Sequence, residues 1–181
     1  MHDIGKIAVP DSVLNKVGRL TDDEYVKMKS HVLRGAEILK DFTLVEHVEE
    51  GTRYHHERYD GKGYPDGLKG EEIPLFARII GVADAFDAMT SNRVYRNHMD
   101  TAYVMNEMLR GRGTQFDPDA LDAFFRLLDK KVIDLDDIYA QKRAEIQNAE
   151  QSEELKRRVE EDRKIQEAEM KNEAKEKGGE A

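Results

Sequence analysis

The stretch that decides the fold reads His55-His56-Glu57-Arg58-Tyr59-Asp60-Gly61-Lys62-Gly63-Tyr64-Pro65. Adjacent residues on a helix point about 100° apart, so the two histidines can serve one cluster only if it is wide enough for more than one metal ion. The glycines that follow can adopt backbone dihedrals that other residues avoid, and they let a ligand approach closely. The stretch therefore predicts a helix end that is also a ligand cradle, beside a multinuclear metal site.

The composition limits what such a site could be. The chain has 181 residues, 39% of them hydrophobic, which is enough for one core of ordinary size. Its formal net charge of -9 argues against nucleic-acid polymers and anionic membranes as partners. The chain has no cysteine, so imidazole and carboxylate groups would hold a metal, and such ligands suit iron, manganese or zinc. No apolar run approaches the ~20 residues of a membrane span and no signal peptide is recognisable, so we expect a cytoplasmic protein.

Upstream of the deciding stretch, two segments carry further histidines. His2 and Asp3 stand at the start of the chain, and Lys6 follows one turn later. The capping-box pattern from Thr21 to Glu24 then predicts the beginning of a helix with an apolar stripe, formed by Tyr25, Met28, Val32, Ala36 and Leu39. His31 lies next to this stripe, so it is either a hydrogen-bonded packing residue or a metal ligand.

A second helix is predicted from about Phe42 to Glu57, with an inner face that leads to His55 and is formed by Leu44, Val45, Val48 and Thr52. A third, very apolar helix should begin at Ile73-Pro74-Leu75 and carries Asp84 and Asp87 one turn apart. A buried aspartate in such a helix needs a cation or a metal as its partner. The alternative is that these carboxylates lie on the wet edge of the helix.

Beyond this helix, a basic loop contains Arg93 and Arg96 and either holds a phosphate or forms plain surface. Two further helices are predicted to begin at Asp100 and at Asp117-Pro118. No alternating segment of convincing length predicts a strand, so the globular part is expected to be all-α. We place this domain at residues 1–135.

Residues 136–181 differ from the rest of the chain because apolar residues become sparse and charged residues alternate in sign. Pairs spaced i to i+4, such as Glu154 with Arg158, favour a solvated helix that frays at its end. The fold class is thus an all-α domain followed by a long charged C-terminal helix. A homodimer through a coiled coil of this tail is the alternative interpretation.

Four imidazoles and two carboxylates from separate segments are candidate metal ligands, namely His2, Asp3, His31, His55, His56 and Asp84. Together they supply the nitrogen and oxygen ligands of a two-metal hydrolytic site, in which an aspartate can bridge two ions. The sequence here resembles the HD-GYP domain, a branch of the HD metal-dependent phosphohydrolases. The resemblance rests on the motifs at residues 2–6, 31, 55–65, 83–88 and 113–118, and it extends to about Leu128.

The resemblance implies an HD-type helical fold with two or three divalent metal ions, often iron or manganese. It implies hydrolysis of the bacterial messenger cyclic di-GMP to pGpG or GMP. The six candidate ligands match metal ligands of the family, and Asp3 matches the bridging ligand. Lys6 matches a lysine near the scissile phosphate. The residues that match positions around the substrate are Gly63, Tyr64, Arg93 and Arg96.

Family members carry further ligands on a helix before the His-Asp pair. We therefore expect an N-terminally truncated chain, separated from an upstream sensory or receiver domain and inactive if its metal shell is incomplete. Two alternatives are an HD phosphohydrolase that acts on another nucleotide or cyclic dinucleotide, and a non-catalytic cyclic di-GMP receptor or protein-interaction module.

Overall fold

The computed structural model describes residues 1–91 and 101–134 and, in the tail, residues 137, 140, 141, 144, 147, 148, 151–158, 160 and 163. The chain divides into two compact units, Met1–Ile133 and Asp134–Ala181. Among the described residues, no helix combines the length and the apolar character that a membrane crossing requires.

The first unit is built from helices joined by turns. Its α-helices are α1 (Asp11–Leu14), α2 (Asp22–Lys29), α3 (His31–Leu39), α4 (Val48–Tyr54), α5 (Leu75–Ser91), α6 (Thr101–Arg110) and α7 (Pro118–Asp129). Two short 3₁₀ helices, Ile4–Ala8 and Gly70–Glu72, complete the elements described. Extended pairing among the described residues is limited to an isolated bridge between Arg112 and Phe116. The prediction of an all-α fold is therefore confirmed.

The helix expected from Thr21 to Leu39 is two helices, α2 and α3. The capping box is confirmed, because Thr21 accepts a hydrogen bond from the Glu24 N–H and the Glu24 carboxylate accepts one from the Thr21 N–H. The helix is interrupted at Ser30, whose hydroxyl donates to the carbonyl oxygen of Lys27 at 2.7 Å. Side chains that bond to nearby carbonyls can compete with the helical ladder, although the N–H of Ser30 still donates to the carbonyl of Val26.

The second predicted helix is much shorter than expected. It begins at Val48 rather than Phe42, because His47 adopts a left-handed backbone conformation with φ of 60°. As a consequence, Leu44 is 86% exposed and Val45 44% exposed, so assigning them to an inner face was wrong. Val48 and Thr52, which lie within the helix, are buried as expected.

The core lies between α3, α4 and α5, which bring the site residues together. The part of the predicted stripe that lies in α3 is confirmed, because Val32, Ala36 and Leu39 are buried, but Tyr25 in α2 is 49% exposed, so its assignment to the stripe was wrong. The helix that begins after Pro74 is confirmed as α5, and Val82 and Phe86 form its buried side. The packing of these three helices brings the beginning of α3, the end of α4 and the middle of α5 together around the site residues.

A buried ion pair joins α5 to the beginning of α7. The guanidinium of Arg78 donates to the carboxylate of Asp117, whose other oxygen accepts hydrogen bonds from the N–H groups of Asp119 and Ala120. The predicted helix start at Asp117-Pro118 is thus confirmed. The segment just before it also pairs with the turn after α4, since the N–H groups of Tyr59 and Asp60 donate to the carbonyls of Gln115 and Thr114.

In the second unit, residues 151–158 are helical. Arg158 donates to the carboxylate of Glu154 at 2.6 Å, which is one of the i to i+4 pairs expected from the sequence. The choice between a solvated single helix and a coiled coil stays a prediction.

Candidate metal centre and active site

Three histidines from two helix ends meet at the centre of the first unit. His31 begins α3, and His55 and His56 follow the last residue of α4. The ring centroids of His55 and His56 lie 4.1 Å apart, and the ring of His31 lies 5.6 Å and 5.2 Å from them respectively. One nitrogen of each ring lies within 4.8 Å of the others, so the three imidazoles could hold one metal ion.

Two of these imidazoles are oriented by a backbone carbonyl three residues earlier in the chain. Nδ1 of His31 is 2.7 Å from the carbonyl oxygen of Met28, and Nδ1 of His55 is 2.8 Å from that of Thr52. Because a carbonyl only accepts, each Nδ1 carries the proton and each Nε2 presents its lone pair. Both Nε2 atoms are buried and have no hydrogen-bond partner among the described residues. Such unpartnered acceptors fit a metal ion as the missing partner.

A second group of potential ligands lies beside the first. Nε2 of His2 is 3.4 Å from Oδ2 of Asp3 and 3.4 Å from Oδ1 of Asp84, which α5 contributes. These three side chains also place one ligand atom each within 4.8 Å of the others. Oδ1 of Asp3 lies 3.5 Å from Nε2 of His31. Asp3 thus faces both groups, which is the position that a bridging carboxylate would need.

Lys6 lies against the same carboxylate. Its Nζ donates to Oδ2 of Asp3 at 2.6 Å, one turn along the 3₁₀ helix. Burial alone would raise the pKa of Asp3, but the imidazole of His2 and the ammonium of Lys6 outweigh it and hold the pKa well below its usual range. The carboxylate is therefore ionised and available as a ligand.

The imidazoles differ in their affinity for protons. The carboxylates of Asp3 and Asp84 raise the pKa of His2 to about 9. Burial lowers the pKa of His55 and of His56 to about 4. The latter two rings are therefore neutral at pH 7, the state in which an imidazole binds metal, whereas His2 would release a proton on binding.

The glycine-rich turn folds back over the histidines. Tyr64 stacks on the ring of His56, with 4.9 Å between the centroids and 29° between the planes. Its N–H donates to the carbonyl of His56 at 3.2 Å. Gly63 lies so close to the backbone that a Cβ atom there would be 2.4 Å from the amide nitrogen of Arg58. The expectation that this turn needs a glycine at close approach is confirmed.

A cavity of about 420 Å³ opens beside this turn. Its lining includes His55, His56, Gly63, Tyr64 and Asp84 from the site, together with Arg78, Gln115 and Asp117. Ligand pockets for small molecules are typically about 300–1,000 Å³ in volume. The cavity is thus large enough for a nucleotide-sized ligand next to the histidines.

The six predicted metal ligands come together in the structure, and so do Lys6, Gly63 and Tyr64. His31, which the sequence left open between packing and ligation, is buried with its Nε2 directed at Asp3. Asp87 is exposed, in agreement with the wet-edge interpretation. Arg93 and Arg96, with the loop that carries them, lie outside the described residues.

Two features of the site were missed by the sequence analysis. Arg78 and Asp117 both line the cavity, and their pairing joins residues far apart in sequence, which no local pattern shows. Glu57 is buried, lines the cavity and accepts a hydrogen bond from the turn, although the sequence analysis assigned it no role. Its place in the deciding stretch was the one available signal.

Comparison with known proteins places the chain in a family. The sequence profile described as HD domain matches residues 1–120. The chain belongs to the HD domain family. Within this family, its HHExxDGxGYP stretch and its relatives confirm the resemblance to HD-GYP domains.

Among the curated relatives of this HD domain, a cyclic di-GMP phosphodiesterase response regulator of Xanthomonas campestris is 48% identical over 129 residues, covering 70% of this chain and 34% of the relative. A 3'3'-cGAMP-specific phosphodiesterase of Vibrio cholerae is 43% identical over 108 residues, covering 60% of this chain and 25% of the relative. The chain thus spans about a third or less of the length of these relatives.

A solved structure shares the fold of the HD domain. It is the crystal structure of a cyclic GMP-AMP-specific phosphodiesterase of Vibrio cholerae, with a TM-score of 0.53 and 21% sequence identity. The match covers 77% of this chain and 37% of that chain. At this identity, the match shows the fold alone.

Proposed function

We propose that this chain is the catalytic domain of a metal-dependent phosphodiesterase that hydrolyses cyclic di-GMP to pGpG or GMP. The observation that carries the proposal is the meeting of two ligand groups, His31-His55-His56 and His2-Asp3-Asp84, beside a cavity of about 420 Å³. The name and the 48% identity of the Xanthomonas relative support cyclic di-GMP as the substrate.

In this proposal, the six side chains hold two or three divalent ions, iron or manganese, with Asp3 shared between the two groups. The donor set supports it, since the imidazole nitrogens and carboxylate oxygens present suit these metals. When bound, such ions polarise a phosphodiester and lower the pKa of a water molecule. His31 and His55 are already oriented for ligation by their hydrogen bonds to Met28 and Thr52.

Lys6 and Asp3 are the residues that we propose to act on the reacting phosphate. The ammonium of Lys6 is held at the edge of the ligand groups by its 2.6 Å hydrogen bond to Asp3. It can neutralise a phosphate oxygen as negative charge increases in the transition state. Asp3 is kept ionised by its neighbours. It holds the ammonium of Lys6 in place and faces both ligand groups.

The remaining proposed residues bind the substrate. Gly63 lets the turn pack on the end of α4, and Tyr64 forms an aromatic wall of the cavity next to His56. Burial raises the pKa of Tyr64, so its phenol remains a hydrogen-bond donor at neutral pH. We assign Arg93 and Arg96 to the substrate phosphates on the strength of their position in the family motif.

A second candidate substrate is 3'3'-cGAMP, because a phosphodiesterase named as specific for it is 43% identical. Both molecules are cyclic dinucleotides with two phosphodiesters, so the metal groups do not distinguish between them. The non-catalytic alternative, a receptor or interaction module, is less well supported, since binding alone does not require six ligands arranged in two groups.

The test is a substrate panel with the full-length protein after loading with iron or manganese. Cyclic di-GMP, 3'3'-cGAMP and a simple phosphodiester, bis(p-nitrophenyl) phosphate, are compared, and pGpG and GMP are resolved by chromatography. We expect hydrolysis of cyclic di-GMP with the highest kcat/KM. A metal-loaded protein that leaves both cyclic dinucleotides intact while binding them would establish the receptor alternative instead.

We further propose that residues 1–135 form the phosphohydrolase domain and residues 136–181 a charged helical tail. The Xanthomonas relative is named a response regulator, which supports a receiver or sensory domain as the partner. A bacterial messenger as substrate supports hydrolysis in the cytoplasm. The oligomeric state, measured by light scattering, would test a homodimer formed through the tail.

A further inference from the structure

Glu57 is a buried carboxylate that the proposed reaction does not use. Its side chain follows His56 directly and is only 8% exposed. Neither group of potential metal ligands among the described residues includes it. A charged side chain is costly to bury without strong partners, so its position calls for a physical explanation.

The partners of Glu57 are backbone N–H groups of the turn that it underlies. Its Oε1 accepts one hydrogen bond from the N–H of Asp66 at 2.7 Å and another from the N–H of Gly67 at 2.9 Å. Hydrogen bonds to a charged acceptor are about twice as strong as those between neutral groups. Oε1 thus binds the chain just after Tyr64 and Pro65, whereas Oε2 is buried and has no hydrogen-bond partner among the described residues.

The same turn is held at its other end by contacts that leave little room. Gly63 packs on Glu57 itself, since a Cβ atom at Gly63 would be 2.4 Å from the Cα of Glu57. The N–H of Tyr64 donates to the carbonyl of His56. The turn is therefore held against the end of α4 at two places. Backbone contacts hold it at Gly63 and Tyr64, and the Glu57 side chain holds it at Asp66 and Gly67.

We propose that Glu57 is a positioning residue: its buried carboxylate holds the turn at residues 63–67 so that Tyr64 stays stacked on His56 at the wall of the cavity. Glu57 also lines the cavity, but neither group of potential metal ligands among the described residues includes it. It acts through Tyr64, whose ring lies 4.9 Å from that of His56. The effect on catalysis rests on the proposed function, whereas the effect on the turn does not.

The variants that test this role separate charge, length and hydrogen bonding. Glu57→Ala removes the acceptor, and Glu57→Asp keeps the charge but shortens the side chain, so both should lose the two bonds. Glu57→Gln retains a carbonyl oxygen in the place of Oε1 and should keep both bonds in a weaker, neutral form. Glu49→Gln on the exposed side of α4 is the matched control.

The direct measurement is hydrogen exchange at the amides of Asp66 and Gly67, followed by mass spectrometry. We expect exchange to become at least about tenfold faster in Glu57→Ala and Glu57→Asp, because each amide loses a charge-assisted hydrogen bond. Exchange in Glu49→Gln should stay near that of the unmodified protein, and exchange in Glu57→Gln should be intermediate because an amide oxygen keeps both bonds in a weaker, neutral form. Amides that remain protected in the Ala and Asp variants would overturn the proposal, and Glu57→Asp serves if Glu57→Ala fails to fold.

The second measurement is kinetic and uses metal-loaded protein. We expect Glu57→Asp to raise KM for cyclic di-GMP about tenfold while metal content and turnover of bis(p-nitrophenyl) phosphate stay unchanged. Loss of metal with an unchanged turn would instead make Glu57 a ligand and would also overturn the proposal. If the unmodified protein hydrolyses no cyclic dinucleotide, the proposed function fails, and the exchange result still decides the role of Glu57.

Discussion

Gly5 lies so close to His31 that a Cβ atom added to Gly5 would be 1.9 Å from the His31 carbonyl oxygen. The amide nitrogen of Gly35, one turn further along α3, would be 2.4 Å away. Both neighbours are backbone atoms, which cannot move aside as the end of a long side chain can. The missing side chain is therefore what lets the segment with His2 and Asp3 reach the helix that carries His31.

Gly5→Ala should accordingly damage both stability and metal binding. Overpacking of this kind costs typically about 1–3 kcal/mol, and the clash with a carbonyl oxygen places Gly5 at the upper end of that range. Urea unfolding and metal analysis of the purified protein are the measurements. Gly81→Ala is the control, because its Cβ atom would be 3.1 Å from the nearest atom, the carbonyl oxygen of His55. Equal losses in the two variants would contradict the explanation.

His55→Ala should release metal without unfolding the domain. The Nε2 of His55 has no hydrogen-bond partner among the described residues, so its removal costs the bond from Nδ1 to Thr52 and the packing of a ring that is 3% exposed. We expect a strong loss of bound iron or manganese, measured by elemental analysis, and no hydrolysis. His47→Ala is the matched control, since His47 is exposed and contacts Glu50. Full metal content in His55→Ala would exclude His55 as a ligand.

The pair formed by Arg78 and Asp117 should respond strongly to removal of one partner. The side chain of Asp117 is 3% exposed and that of Arg78 16% exposed. Breaking a buried pair leaves an uncompensated charge and typically costs about 3–5 kcal/mol. We expect Asp117→Asn and Arg78→Met each to lower the free energy of unfolding by this order. The double variant should lose less than the sum, and strict additivity would show that the two side chains do not interact.

The same pair should make stability depend on pH. Burial raises the pKa of Asp117, but Arg78 and the N–H groups of Ala120 and Asp119 outweigh it, and the net pKa is lowered. A group with a lowered folded-state pKa contributes stability above its unfolded-state pKa of about 3.9 and loses it as the pH falls through the folded-state pKa. Urea unfolding from pH 7 to pH 3 should therefore show the deficit of Asp117→Asn shrinking below about pH 4. A deficit that stays constant would refute this.

Thr21→Ala should cause a small loss of stability, because it affects only the N-cap of α2. The variant removes the hydroxyl that accepts from the Glu24 N–H, which is worth about 1 kcal/mol at a helix N-cap. Thermal unfolding should show a correspondingly small decrease in Tm. Thr43→Ala is a suitable control, because Thr43 is exposed and lies outside the helices. A Tm unchanged by Thr21→Ala would mean that the cap is not formed in solution.

Patterns within one helix predicted much of the fold. The capping box at Thr21, the stripe through Val32 and Ala36 and the proline start of α5 were read from residues within a few positions of one another. What the patterns missed were interruptions. The apolar periodicity continued across Ser30, because it does not detect a side chain that bonds to a nearby carbonyl. It also included Leu44 and Val45, because it does not detect a single residue, His47, in the left-handed region.

The candidate site was predictable to a different extent. Its ligands could be collected from the sequence because the chemistry of His and Asp is distinctive and the family motif is long. The supporting residues could not, since Arg78 and Asp117 are 39 positions apart and each is an ordinary surface residue by type. Glu57 stood within the motif, but its hydrogen bonds to Asp66 and Gly67 depend on how the turn folds back, which the spacing does not reveal.

The hydrogen bonds that orient His31 and His55 both span three residues and end on a carbonyl of the same local segment. Each ring is therefore oriented by the helix that precedes it, His31 by the end of α2 and His55 by the end of α4, independently of the other histidine. The centre then forms when the two segments that carry His31 and His55 pack together with their rings already oriented. Less side-chain rotamer entropy is therefore lost when an ion binds. Inserting one residue just before either histidine would change its carbonyl partner and turn the ring away, even with every ligand still present.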